Sequence, residues 1–142
     1  MEILIINKSR HRGNTEKVAK AMAEVMSAKL LKVEDVHLQE LPTYDLIGFG
    51  SGIYGGKHDK RLIKLIENMP PVDKNVFIFS TYAGGENHTL IKEKLSEKGC
   101  KVVGEFSCLG VFGILGLNMN KGHPDERDLE NARTFAKGLL NS

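Results

Sequence analysis

Glu2-Ile3-Leu4-Ile5-Ile6, then Asn7-Lys8-Ser9-Arg10-His11-Arg12-Gly13-Asn14-Thr15, then Val18, Met22, Val25 and Met26 at helical spacing: this opening stretch decides the fold. A short apolar run with three isoleucines fits a strand buried on both faces. The polar, basic segment after it reads as a turn, and the spaced apolar residues read as one face of a helix. Strand, loop and helix thus follow one another within 26 residues.

The unit repeats along the chain. Lys29 to His37 alternates weakly, with a break at Glu34-Asp35, and predicts a second strand; Leu38 to Thr43, holding Pro42, connects it onward. Tyr44 to Gly50 predicts a third strand, ending in Ser51-Gly52-Ile53-Tyr54-Gly55-Gly56, with a helix starting past Lys57 and stopped by Pro70-Pro71. Asn75 to Ser80 predicts the fourth strand, Thr81 to Asn87 a loop, and Leu90, Ile91 and Leu95 a helix ending at Gly99. Lys101 to Phe112 reads as a fifth strand and Gly113 to His123 as a loop. Pro124 is expected at the first position of a last helix whose first turn holds Asp125, Glu126 and Asp128. Five strands alternating with helices predict an α/β protein with a doubly wound parallel sheet, forming one domain over residues 1–142.

Composition narrows the function classes. A formal charge of +2 from 20 basic and 18 acidic residues argues for neither nucleic acid nor a membrane surface as partner. Without a long apolar run or a leader-like start, the expectation is a cytoplasmic protein with no membrane insertion. Cys100 and Cys108 are too few and too far apart for a redox pair or a zinc framework, and are expected in the core. The five histidines lie in five separate segments with no metal spacing, so no metal site is expected.

In an open parallel sheet, ligands bind beyond the carboxyl ends of the strands. The loops to inspect are Asn7 to Thr15, Ser51 to His58, Thr81 to His88 and Gly113 to His123, each rich in glycine, hydroxyl or amide groups. The first offers Ser9, Gly13, Asn14 and Thr15 beside a helix start, which suits a phosphate; the plainer alternative is that Asn14 or Thr15 caps the helix. Gly50 to Gly55 matches G-x-G-x-x-G, yet its helix starts too late and the next strand ends without the acidic residue a dinucleotide needs. A P-loop fails at Ser51 and His58. Ser51 stands where a phosphorelay receiver needs aspartate, and the first loop lacks the cysteine of a small phosphatase. No catalytic acid, base or nucleophile stands out.

Ser9 to Ala19, Ser51 to Lys57 and Thr81 to Gly85 resemble the phosphate loop and the loops after strands three and four of the flavodoxin family. The tail Asn120 to Leu129 is similar to small flavodoxin-domain proteins of anaerobic microbes. The resemblance spans nearly the whole chain and implies a flavodoxin-like three-layer sandwich: a five-stranded parallel sheet of order 2-1-3-4-5 with helices on both faces. It implies FMN, held without a covalent bond by Ser9, Arg10, His11, Arg12, Gly13, Asn14 and Thr15 around the phosphate. Ser51, Gly52, Ile53, Tyr54, Gly55 and Gly56 would lie against the ring, with Thr81, Tyr82, Ala83, Gly84 and Gly85 on its other side or edge. Tyr54 is the first stacking candidate and Tyr82 the second, while His58 and His88 could approach the flavin but read more readily as surface residues.

Acidic electron-carrier flavodoxins differ from this chain, which has no tryptophan and sets Lys8, Arg10, Arg12, Lys57, Lys60, Arg61 and Lys121 near the expected site. Positive charge there would favour the anionic reduced flavin and raise its potential. The resemblance implies a carrier of one or two electrons between redox protein partners, as a monomer or weak homodimer. An NAD(P)H-dependent flavin or quinone reductase, a flavodoxin-like oxidase, and a module that has lost its flavin are the alternatives.

Overall fold

The computed structural model describes residues 1–10, 13–82, 87–110, 112–114, 117–119 and 122–141. Its main sheet contains β1 (Ile3–Lys8), β2 (Lys29–Lys32), β3 (Leu46–Tyr54), β5 (Asn75–Tyr82) and β6 (Lys101–Leu109), in the order β2-β1-β3-β5-β6 and all parallel. A two-residue strand, β4 (Lys57–His58), pairs antiparallel with the end of β3. With β4 set aside, the order is the expected 2-1-3-4-5.

Two apolar clusters lie on opposite faces of the sheet and make three layers. One joins Leu4, Ile6, Ile47, Phe49 and Ile78 to α2 (Lys60–Asn68) and α3 (Thr89–Glu97). The other joins Ile3, Ile5, Phe77 and Phe79 to α1 (Asn14–Met26) and α4 (Glu126–Leu140). Odd and even strand positions point to opposite faces, so the isoleucine run of β1 fills both clusters. Both cysteines are buried and free, and burial pushes the Cys108 thiol up to about 12.

Gly48 and Gly50 of β3 lie beside Phe77 and Phe79 of β5. A Cβ on Gly48 would stand 2.2 Å from the Phe77 ring, and one on Gly50 would stand 2.1 Å from the Phe79 ring. The glycines thus exist for the phenylalanines, whose rings lie across the vacant side of β3.

Several boundaries differ from the sequence reading; β1 runs on to Lys8 and β5 to Tyr82, each two residues further than expected. The second strand stops at Lys32, and Val33–Asp35 and Leu38–Thr43 form 3-10 turns that turn Val33, Val36 and Leu38 back onto the core. The third strand continues to Tyr54, because Gly55 and Gly56, with φ of 59° and 80°, form a two-residue turn to β4. Positive φ at both central residues matches the twist of a hairpin. The fifth strand ends at Leu109, and β7 (Phe112–Ile114) pairs antiparallel with β8 (Leu117–Met119) within the stretch expected to be a loop. Pro124 precedes α4 instead of opening it: Asp125 is the N-cap, accepting the Asp128 N–H at 2.9 Å while Asp128 Oδ2 accepts the Asp125 N–H at 2.8 Å. That reciprocal box satisfies two end donors and fixes the first helical residue, Glu126, two past the proline.

Candidate functional site at the carboxyl edge of the sheet

Parallel registry sets the ends of four strands in a row. Lys8 of β1 lies beside Ser51 of β3, Ser51 beside Ser80 of β5, and Ser80 beside Ser107 of β6. Three hydroxyls from distant segments therefore cross the sheet at one level. One level further, Gly52 lies beside Thr81. The Thr81 hydroxyl is 2.9 Å from that of Thr15, which ties the first turn of α1 to the end of β5.

α1 starts at Gly13, whose left-handed backbone (φ 62°, ψ 28°) directs the chain into the helix with no side-chain cap. Asn14 and Thr15 are buried first-turn residues, so neither caps α1. Ser9 Oγ accepts the Glu16 N–H at a long 3.4 Å. A helix start of this kind aims N–H groups and the positive end of the dipole outward, and is suited to an anion. Among the described residues, a Cβ on Gly13 would meet only Glu16 Oε2, at 3.9 Å.

Arg10 links this loop to the next. Its Nε lies 3.2 Å from Asp59 Oδ2, and its guanidinium carbon 3.5 Å from the centre of the Tyr54 ring. Asp59, which sequence reading passed over, is fully buried: its other oxygen caps α2 by accepting the Arg61 N–H, and its own N–H donates to Ser51 Oγ. One face of Tyr54 is thus covered by Arg10, and its phenol lies against Gly52, where a Cβ would stand 2.5 Å from the hydroxyl. Partial burial raises the Tyr54 pKa, with Arg10 opposing and Asp59 adding to the shift. Ser51, Gly52 and Ile53 are buried strand residues, whereas Gly55 and Gly56 are exposed at the hairpin tip, with no described atom within 4 Å of a would-be Cβ.

His58 and His88 are not surface residues; they are 4% and 9% exposed, with ring centres 5.0 Å apart. The hairpin turns His58 inward, where its Nε2 donates to the Phe79 carbonyl at 3.0 Å. A carbonyl only accepts, so the proton of the neutral ring sits on Nε2 and Nδ1 is an acceptor. That Nδ1 is buried with no partner among the described residues. Burial pushes His58 down to about 4, helped by His88 and opposed by the Phe79 bond and Glu105. His88, at the N-cap of α3, bonds Ser80 Oγ through Nε2 at 2.8 Å and Glu105 Oε1 through Nδ1 at 2.9 Å. Lys92 meets the other Glu105 oxygen at 3.2 Å. Partial burial works against the Glu105 charge, but His88 and Lys92 outweigh it and lower the pKa. A sequence signal existed in the Gly55-Gly56 turn, which folds His58 back over the sheet.

The cations are unequally placed. Lys8 pairs with Glu34 at 3.0 Å and Arg10 with Asp59, while Lys57, Lys60 and Arg61 are exposed. His11, Arg12, Ala83, Gly84, Gly85 and Lys121 lie outside the described residues; Tyr82, at the end of β5, is half-buried. At the start of α4, His123, Asp125 and Asp128 bring potential ligand atoms within 4.8 Å of one another, where they serve the capping of that helix. Among the described residues no helix is long and apolar enough to cross a membrane.

Comparisons with known proteins agree with this fold. A family model described as a flavodoxin domain matches residues 4–113. An uncharacterized protein of Methanocaldococcus jannaschii is 41% identical over 148 residues, covering 99% of each chain. Among solved structures, an archaeal flavodoxin superposes with a TM-score of 0.82 at 21% identity, over 99% of this chain and 97% of that one. Flavodoxin 2 of Bacillus cereus does so at 0.76 and 25% identity, over 99% of both.

Proposed function

The chain belongs to the flavodoxin family, and from that premise we propose that it binds FMN without a covalent bond and carries one or two electrons between redox proteins. The observation that carries this reading is the Thr15–Thr81 hydroxyl pair, which brings the open helix start beside the ends of β3 and β5. An anion site and a site for a flat ring then adjoin at one edge.

The residues present suit the group. Backbone N–H groups at the start of α1, with Ser9, Asn14 and Thr15, supply donors for a phosphate, and the α1 dipole favours its charge. The Gly55-Gly56 hairpin offers backbone without side chains, which allows close approach to a ring. Arg10 fixes Tyr54 at the rim through its cation–π contact, worth about 0.5–1 kcal/mol at an exposed position. Asp59 joins Arg10 of the first loop to the start of α2. When bound, FMN supplies one- and two-electron chemistry, and the protein contributes binding, orientation and exposure of an edge to a partner. The exposed Lys57, Lys60 and Arg61 favour a negatively charged reduced cofactor and a potential higher than in acidic family members.

The test is absorption of the purified protein after adding FMN and removing the excess. Flavin bands near one per chain support the reading, and a colourless protein overturns it. Electron flow only through an added reductase supports the carrier. The open space over Gly55 and Gly56 also favours a second reading, a reductase, and rapid NADPH oxidation by the protein alone with a quinone would replace the carrier with it.

A further inference from the structure

The buried histidine pair sits between two segments of the site. His58 is carried by the β3–β4 hairpin and His88 by the start of α3, just after the strand that bears Thr81. Their rings are 5.0 Å apart, and both are anchored to β5, His58 on the Phe79 carbonyl and His88 on Ser80.

The two rings differ in what a proton does to them. His88 tolerates either state. Its Nδ1 donates to Glu105, and its Nε2 accepts from the Ser80 hydroxyl when neutral or donates to the same oxygen when charged. His58 tolerates only one, because Nε2 is already a donor and a second proton on Nδ1 would be a buried N–H with no acceptor among the described residues. Among the described residues, the charged groups around the pair are Glu105 from β6 and Lys92 from α3, already joined to each other. Asp59, at the start of α2, is committed to Arg10 and to the Arg61 N–H. No described carboxylate is left to receive a proton from His58.

We propose that His58 and His88 are positioning residues that clasp the β3–β4 hairpin to the start of α3, and that protonation of His58 opens the clasp and weakens cofactor binding. The low basicity of His58 agrees with this geometry. Only the ligand readout rests on the FMN reading above. The apoprotein carries the same clasp.

The test compares the FMN dissociation constant of the wild-type protein and His58→Gln, by flavin fluorescence quenching from pH 6.5 to pH 3.5. A glutamine amide can donate to the Phe79 carbonyl and does not titrate in this range. The two proteins should bind FMN within about threefold of each other at pH 6.5. At pH 3.5 the wild type should have weakened about fourfold more than the variant, as follows when the competent fraction falls with a pKa of about 4. Titration of the FMN phosphate and of other carboxylates is common to both and cancels in the ratio. Parallel profiles would overturn the proposal.

Histidine ring NMR of the wild-type apoprotein decides the matter should His58→Gln fail to fold. His58 must titrate below about pH 5, with loss of amide protection from Ile53 to Lys57 over the same range; titration near the ordinary histidine value, or unchanged protection, overturns the clasp. If the wild type binds no FMN at pH 6.5, the cofactor reading falls, and this same NMR experiment still supports or overturns the clasp.

Discussion

At the scale of single residues, Gly50 and His58 carry the most testable chemistry. Gly50 has the Phe79 ring where a side chain would be, so Gly50→Ala forces a ring out of a packed layer. Overpacking of this kind costs typically 1–3 kcal/mol, and urea unfolding at neutral pH should show a loss of that size with an unchanged m-value. His58 makes stability depend on pH. Its native pKa, about 4, lies below its ordinary 6.5, so between these values the unfolded chain binds the extra proton and the native state does not. Stability from this residue is therefore full above about pH 6.5 and falls as the pH drops toward 4, by roughly 3 kcal/mol in all. The difference in unfolding free energy between the wild type and His58→Gln should shrink or change sign across that window; a constant difference would show that His58 titrates normally. Neither residue's role was legible as a pattern. A glycine in an apolar run signals only close approach, and a lone histidine in a polar loop carries no sign of burial until the hairpin turns it inward.

At the scale of elements, β1, α1, α2, β5 and α3 follow from periodicity and end signals, because each has one dominant apolar pattern. The differences lie where turn chemistry overrides composition. Gly55-Gly56 resembles a loop in composition, yet two glycines flanked by Ile53-Tyr54 and Lys57-His58 make a hairpin. Val33, Val36 and Leu38 alternate like a strand but serve the core from 3-10 turns. Pro124 favours a helix start, but the Asp125–Asp128 box satisfies more end donors and starts the helix two residues later. That box makes α4 the most direct element to test. Asp125→Ala leaves the Asp128 N–H without its acceptor, and removal of an N-cap costs about 0.5–2 kcal/mol. Because α4 packs on α1 across Ala132 and Ala136, the loss should appear as global destabilisation in urea, and Asp125→Asn should recover most of it. Equal losses in the two variants would place the effect on charge and not on the cap.

At the scale of the molecule, the candidate site exists only through the parallel order of the sheet. Ser9, Thr15, Ser51 and Thr81 span 73 positions of sequence and no local pattern joins them, yet strand order 2-1-3-4-5 places their segments at one edge. The loop composition was legible, and the hydroxyl row Ser51, Ser80 and Ser107 was not, since it depends on register. A cofactor gripping this edge joins α1 to β3 and β5, and so binds the native state alone. At a free FMN concentration one hundred times its dissociation constant, stabilisation should be about 2.7 kcal/mol, which for a chain of this size raises Tm by roughly 5–11 °C. Riboflavin separates the two halves of the site, for it has the same ring and no phosphate. If the open start of α1 receives the phosphate, riboflavin at the same free concentration binds more weakly and raises Tm less, and inorganic phosphate competes with FMN while leaving riboflavin unaffected. Equal shifts from the two flavins would move the binding energy to the ring side alone, and the helix start at Gly13 would then be a backbone turn without a ligand.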